Sequence, residues 1–260
     1  MKTKSLLLML AWAVLPLFGD NTDVMDIILK AEQAAYFAGR DGIADVQMVI
    51  HDAGGSTRER EFRILRWNGE DGSQKFYVYF NRPADVRAMA YLVWKHGRGR
   101  DDDRWLWLPS IGRVNRIAPG DKRTAFVGSD FVYEDVSGRS PFEDEHVLLE
   151  KTESAYHIRS TPKLPGSVEF AFYEVWIDRE TYLPLKAEYT DRRGNVYRRV
   201  TADTVEVIQG YPTVMVSTVE DLNRNSRTVN TFSNVQYDVG LSENIFTERF
   251  LRRPPREATR

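Results

Sequence analysis

The side chains that could do chemistry are few, and their spacing does not gather them. His51, His96, His146 and His157 are the chain's 4 histidines. None belongs to a His-Glu-x-x-His ligand pair, and each lies in or beside a run that reads as strand, where a hydrogen-bonded structural histidine is the ordinary outcome. Two acidic triplets, Asp101-Asp102-Asp103 and Glu143-Asp144-Glu145, carry the charge for a calcium site or for a glycosidase acid and base. Adjacent residues on a strand point to opposite faces, so neither triplet converges on one point as either chemistry requires. A Gly-x-Ser-x-Gly elbow is absent, as is a phosphate-cradling glycine loop; Gly97-Arg98-Gly99 is a hairpin-like glycine pair. The chain has no cysteine, which excludes disulfides, thiolate metal ligands, a cysteine nucleophile and a lipid-modified cysteine tether. These residues predict a protein that is not an enzyme and holds neither metal nor cofactor.

What the chain has instead is large rings: 13 Phe, 12 Tyr and 6 Trp. Phe76, Val78 and Phe80 fall on one face of their run and Tyr77 and Tyr79 on the other. Tyr91 and Val93 oppose Leu92 and Trp94, and Trp105 and Trp107 oppose Leu106 and Leu108. A sheet with one solvated face alternates apolar with polar residues, so two apolar faces predict a cover on each side. Such rings either fill a core or line the space in which a curled sheet holds an apolar molecule, and the residues leave both readings open.

The elements that must position these rings begin after an export signal. Lys2 and Lys4 precede an apolar run from Leu6 to Phe18 that ends at Gly19 and Asp20, the pattern of a secretory signal peptide over 1–19. That run is too short to span a bilayer, and no later stretch approaches the roughly 20 apolar residues that spanning requires. From Asn21 to Ala38 apolar residues recur at helical spacing, with Asn21 or Thr22 to cap the start and Gly39 to stop it. The texture then turns to short β-type runs: Ile43 to His51, Arg60 to Trp67, Gln74 to Asn81, Val86 to His96, Arg104 to Leu108, Arg113 to Ile117, His146 to Thr152, Tyr156 to Thr161, Glu169 to Asp178, Leu185 to Thr190, Asn195 to Ile208, Thr213 to Asp221 and Ser226 to Tyr237. Links such as Gly54-Gly55, Asn68-Gly69 and Gly194-Asn195 are turn chemistry, so consecutive runs should pair antiparallel. The fold class predicted is mainly β: one large curved antiparallel sheet that must curl, close or be covered. Candidate covers are the first helix, the segment Ser129 to Val136 and a final helix from Ser242 to Leu251. A single domain is expected over 20–251, followed by a frayed basic tail at 252–260. Lys plus Arg number 36 and Asp plus Glu 38, a balance that does not point to nucleic acid or to an anionic membrane surface.

Three stretches carry a resemblance. Trp105-Leu106-Trp107-Leu108-Pro109 leading to Arg113-Val114-Asn115-Arg116-Ile117, then Gly128-Ser129-Asp130-Phe131-Val132-Tyr133-Glu134-Asp135, then Trp176-Ile177-Asp178 followed by Leu183-Pro184-Leu185-Lys186, resemble in order the segments of outer-membrane lipoprotein-sorting proteins, the LolA-like and LolB-like periplasmic carriers. The resemblance covers nearly all of the chain beyond the signal peptide. It implies an unclosed β-barrel whose concave side is lidded by helices and holds acyl chains, in a soluble periplasmic protein. It further implies a lipid or a lipid-modified protein as partner, and an inner-membrane export complex as its source. On this reading Met89, Tyr91, Trp105, Trp107, Phe131, Phe172 and Trp176 are the expected lipid-binding residues, with Ser129, Asp130 and Tyr133 in the lid. Two other readings stand beside it. A non-enzymatic carbohydrate- or protein-binding β module would display aromatics on an open face, and a hydrolase would bring two carboxylates together in a cleft.

Overall fold

The computed structural model describes residues 23–97 and 100–259; the expected signal peptide lies outside them. Strands form in every run expected to be extended, although the run expected from Val86 opens with a turn and is extended only from Ala90. They are β1 (Asp41–His51), β2 (Thr57–Asn68), β3 (Gln74–Arg82), β4 (Ala90–Lys95), β5 (Asp103–Leu108), β6 (Arg113–Arg116), β7 (Asp144–Lys151), β8 (Ala155–Pro162), β9 (Phe172–Asp178), β10 (Pro184–Thr190), β11 (Val196–Ile208), β12 (Tyr211–Asp221) and β13 (Ser226–Tyr237). All 13 join one sheet in the order β6-β5-β4-β3-β2-β1-β13-β12-β11-β10-β9-β8-β7, with antiparallel pairs throughout, for example Met48 opposite both Arg60 and Asn230. Two meanders, β1 to β6 and β7 to β13, are thus joined along β1 and β13, and the sheet stays open between β6 and β7. The expected unclosed barrel is what the chain forms.

The first helix, α1 (Val24–Tyr36), starts at Val24 and is capped by Asp23, whose carboxylate accepts from Met25 N at 3.0 Å; Asn21 and Thr22, the caps expected, lie outside the described residues. Its apolar stripe, Ile27, Ile28 and Ala31, packs on Tyr156, Ile158, Val175 and Ile177 of β8 and β9. Its far end is held by the other meander. Arg66 donates to the carbonyls of Tyr36 and Ala38, Asn68 Nδ2 to that of Gly39 at 2.7 Å, and Gln74 Nε2 to that of Tyr36 at 2.8 Å. These donors meet carbonyls that the helix end leaves without an intrahelical partner, so α1 spans the mouth of the curled sheet from β8–β9 to β2–β3.

The two apolar faces of β2 to β5 find different covers. On the convex side Leu65, Tyr77, Leu92 and Trp105 pack under Leu241, Phe246, Leu251 and Ala258. Tyr77 donates its hydroxyl to Phe250 O at 2.7 Å, and Trp94 Nε1 donates to Phe246 O at 2.7 Å. The long final helix expected there is instead a single-turn 3-10 helix (Glu243–Ile245) and a short α2 (Arg249–Arg252). The tail expected to fray is folded back on the sheet, with Ala258 only 1 % exposed and part of the same packed cluster as Leu65.

Candidate functional site

On the concave side the segment 117–143, which links the two sheet edges, crosses the bowl as short 3-10 turns and loops. Phe126, 2 % exposed, packs its ring 5.5 Å from Tyr91 and from Tyr133, 5.8 Å from Phe80 and 6.3 Å from Phe62, the separations at which tilted and edge-on rings attract. From this plug the segment reaches to the other meander. Asp130 accepts from Ser226 Oγ at 2.6 Å and Thr228 Oγ1 at 2.7 Å on β13, and Asp135 takes a bond from Arg198 on β11. Ser129 turns its Oγ back to Phe126 O at 2.6 Å. Gly138 lets the segment pass α1: its φ is +76°, and a Cβ there would lie 2.7 Å from the Tyr36 ring.

A buried charge cluster anchors the same segment. Glu134, 2 % exposed, lies 3.0 Å from Lys122, 3.2 Å from Arg123 and 3.5 Å from Arg139. Those cations also hold Glu143, Glu169 and Asp144 at 2.9, 2.7 and 2.8 Å. Burial alone would raise the Glu134 carboxyl, but Arg123, Lys122 and Arg139 outweigh it and hold the group down at about 2.

Between this segment, α1 and the sheet lies a cavity of about 470 Å³, a size that suits a small ligand. Met48, Phe62, Ile64, Phe76 and Val78 form its wall on the first meander; Val175, Ile177, Val200, Val214 and Phe232 form it on the second. Ile28, Ala31, Ala34 and Ala35 of α1 and Phe126, Phe131 and Val136 of the crossing segment roof it. A second basin, bordered by the exposed Lys30, Gln33 and Arg40, shares Ala34 and Pro212 with it and is its mouth.

Of the residues expected to bind lipid, Phe131 lines this cavity. Met89 and Tyr91 face the same side but lie beneath Phe126 and Tyr133, packed in the wall. Trp105 and Trp107 are on the convex face under the C-terminal segment. Phe172 and Trp176 are on the outside of the second meander, where Arg159 lies over Phe172 and His157 and Lys186 sandwich Trp176. Ser129, Asp130 and Tyr133 all belong to the crossing segment, Tyr133 as part of its plug. In each displaced pair the neighbour one residue away faces inward: Leu106 between Trp105 and Trp107, Val175 and Ile177 around Trp176. The small residues of α1 were the detectable signal for the roof, since a helix face built of Ala31, Ala34 and Ala35 leaves room rather than filling it.

Among the described residues, four of the six carboxylates in the acidic triplets are paired with cations. Asp102 pairs with Arg104, and Asp103 with His96 at 2.8 Å and with Arg116, while Glu143 and Asp144 belong to the buried cluster. His146 bonds Ser160 and Pro141 O, and His157 bonds Glu174. Among the described residues no group of three or more His, Asp or Glu could hold a metal, and no helix is long and apolar enough to cross a membrane.

A curled sheet left open, crossed by a helix and a loop over an apolar cavity, is the architecture of the lipoprotein-sorting carriers. A crystal structure of a LolA superfamily protein from Nitrosomonas europaea shares this fold at TM-score 0.65 and 18 % identity, over 87 % of this chain and 98 % of that one. A putative outer membrane lipoprotein-sorting protein domain from Vibrio parahaemolyticus matches at TM-score 0.80 and 27 % identity, over 88 % and 98 % of the two chains. A DUF1329 family protein from Desulfovibrio piger matches at TM-score 0.79 and 31 % identity, over 87 % and 97 %. A family model described only as that of an uncharacterised protein matches residues 72–253. The chain belongs to the DUF1329 family, within the lipoprotein-sorting fold. The curated proteins contain no match to it.

Proposed function

We propose that this protein is a soluble periplasmic carrier that takes up a lipid, or the acyl chains of a lipid-modified protein, and moves them between membranes without chemical change. The observation that carries the reading is the cavity: an apolar space roofed by α1 and the crossing segment, bordered by a basin of exposed polar residues. Each methylene buried there contributes about 0.8 kcal/mol, so ten hold a chain by about 8 kcal/mol. That is tight enough to carry the chain and weak enough to release it to an acceptor that buries it better. The outward aromatics do not favour a carbohydrate-binding module, because Phe172 and Trp176 are covered by Arg159, His157 and Lys186. In the acidic triplets Asp102, Asp103, Glu143 and Asp144 are paired with cations, which does not favour an acid and base pair there.

The test is native mass spectrometry of the protein expressed with its signal in a double-membraned bacterium, followed by extraction and identification of bound lipid. A lipid of defined stoichiometry that is lost in Phe131→Asp supports the carrier. A protein that emerges without lipid, and takes up neither phospholipid nor lipopeptide when offered them, would remove it.

A further inference from the structure

The cavity wall is mostly apolar, and one of the polar residues that line it carries a buried side-chain oxygen without a donor. Asn230 stands on β13 between Met48 of β1 and Ser217 of β12. It lines the cavity and is 7 % exposed, and its Oδ1 is buried without a hydrogen-bond donor from the protein. Two nearby hydroxyls are engaged elsewhere: Thr228 Oγ1 bonds Asp130 at 2.7 Å, and Thr213 Oγ1 bonds Tyr211 O and the Tyr237 hydroxyl at 2.9 Å. A buried amide without a partner is costly, and any molecule that enters beside it either supplies a partner or seals the amide off from one.

Its depth narrows the choice. Pro212 borders the mouth, and Ser217, the cross-strand neighbour of Asn230, lies five residues further along β12, roughly 17 Å at the strand rise. An acyl chain lying with its head at the mouth would set bare methylenes against the amide. We infer that the cavity is built for an amphiphile that buries a hydrogen-bond donor, an amide N–H or a hydroxyl, against Asn230. The inference rests on the carrier reading and deepens it: the ligand is selected by a polar group within its apolar part and not by chain length alone. Burying the amide against a matched donor rather than bare methylenes is worth roughly tenfold in affinity.

The experiment uses three probes of one chain length: methyl palmitate, which has no donor, a methyl palmitate analogue in which an amide replaces two methylenes near the twelfth carbon, and methyl 12-hydroxypalmitate, which adds a hydroxyl at that depth. Each displaces an anilinonaphthalene sulfonate dye from delipidated wild type and from Asn230→Leu, whose thermal melts are recorded alongside. The expected result is that wild type binds the amide or the hydroxyl probe roughly tenfold more tightly than methyl palmitate, and that the leucine variant shows no preference. Which donor-bearing probe wins separates an amide-linked cargo from a hydroxylated chain. If wild type binds methyl palmitate as tightly as the other two, or the leucine variant keeps the same preference, the role of Asn230 is overturned while the carrier reading stands. If wild type binds none of the three, both fall. The wild-type comparison decides the matter even if the variant does not fold.

Discussion

Replacing Glu134 by glutamine tests whether the buried charge cluster fixes the segment that roofs the cavity. In the folded protein the carboxyl is held at about 2 against an ordinary 4.5. At 1.36 kcal/mol per pH unit, that depression corresponds to about 3 kcal/mol of stability at neutral pH. Its sign is that of a carboxylate bound more tightly as the anion. The contribution is complete above pH 4.5, where the unfolded group is ionised, and is lost as the pH falls towards 2. The substitution also leaves Lys122, Arg123 and Arg139 buried with one counter-charge fewer, and breaking a buried pair on one side is costly in its own right. For a chain of this size a loss of 3 kcal/mol lowers the melting temperature by roughly 6–12 °C. Circular dichroism melts of wild type and Glu134→Gln at pH 7 and near pH 2.5 measure both parts. A variant that melts within a degree of wild type at pH 7, or a gap that stays as wide at pH 2.5, would refute the assignment.

Other expectations concern the two covers of the sheet. Trp105→Ala should cost about 3 kcal/mol in denaturant unfolding, because it empties a packed site, yet leave lipid affinity within twofold, since the ring lies on the convex face; a matching fall in affinity would place it at the ligand. Gly138→Ala adds a Cβ 2.7 Å from the Tyr36 ring at a φ of +76°, and a loss of about 1–3 kcal/mol on thermal melting is expected. Deleting residues 253–260 removes the buried Ala258 and should lower the melting point and raise binding of a hydrophobic dye at the uncovered Leu65; unchanged dye binding would mean the tail is not a cover.

The strands were legible because each is a β-type run bounded by turn chemistry, so their number and the pairing of sequence neighbours follow from local pattern, whereas the join of β1 to β13 that leaves β6 and β7 unpaired with each other does not. Which parity of each strand faces the bowl is not a local property. It is set by the direction in which the whole sheet curls, and a one-residue shift of parity exchanges the two faces. Aromatic size is a poor guide in that choice: Trp105, Trp107 and Trp176 face outward, while the smaller Leu106, Val175 and Ile177 face inward. A ligand space needs residues that leave volume, and large rings are equally suited to closing a core. The buried cluster around Glu134 was hidden for a related reason, because Lys122, Arg123, Glu134, Arg139 and Glu169 are scattered along the chain and no local pattern brings them together. Only the crossing of the bowl by the segment that carries most of them brings them together.

The pairing of β1 with β13 has a consequence for how the protein is made. Every other ladder joins strands that follow one another in the chain, so each meander can assemble by adding hairpins as they emerge. The join between Ile50 and Thr228 must wait for nearly the whole sequence, and contacts so distant in the chain are the slow ones to form. Until that seam closes, the bowl exists as two separate half-walls with their apolar inner faces uncovered, the state in which exposed strand edges invite aggregation. A circular permutant opened in the 117–143 segment would run β7 to β13 and then β1 to β6, with every strand beside its sequence neighbour. Such a chain would fold faster than the natural one, at the expense of severing the segment that roofs the cavity.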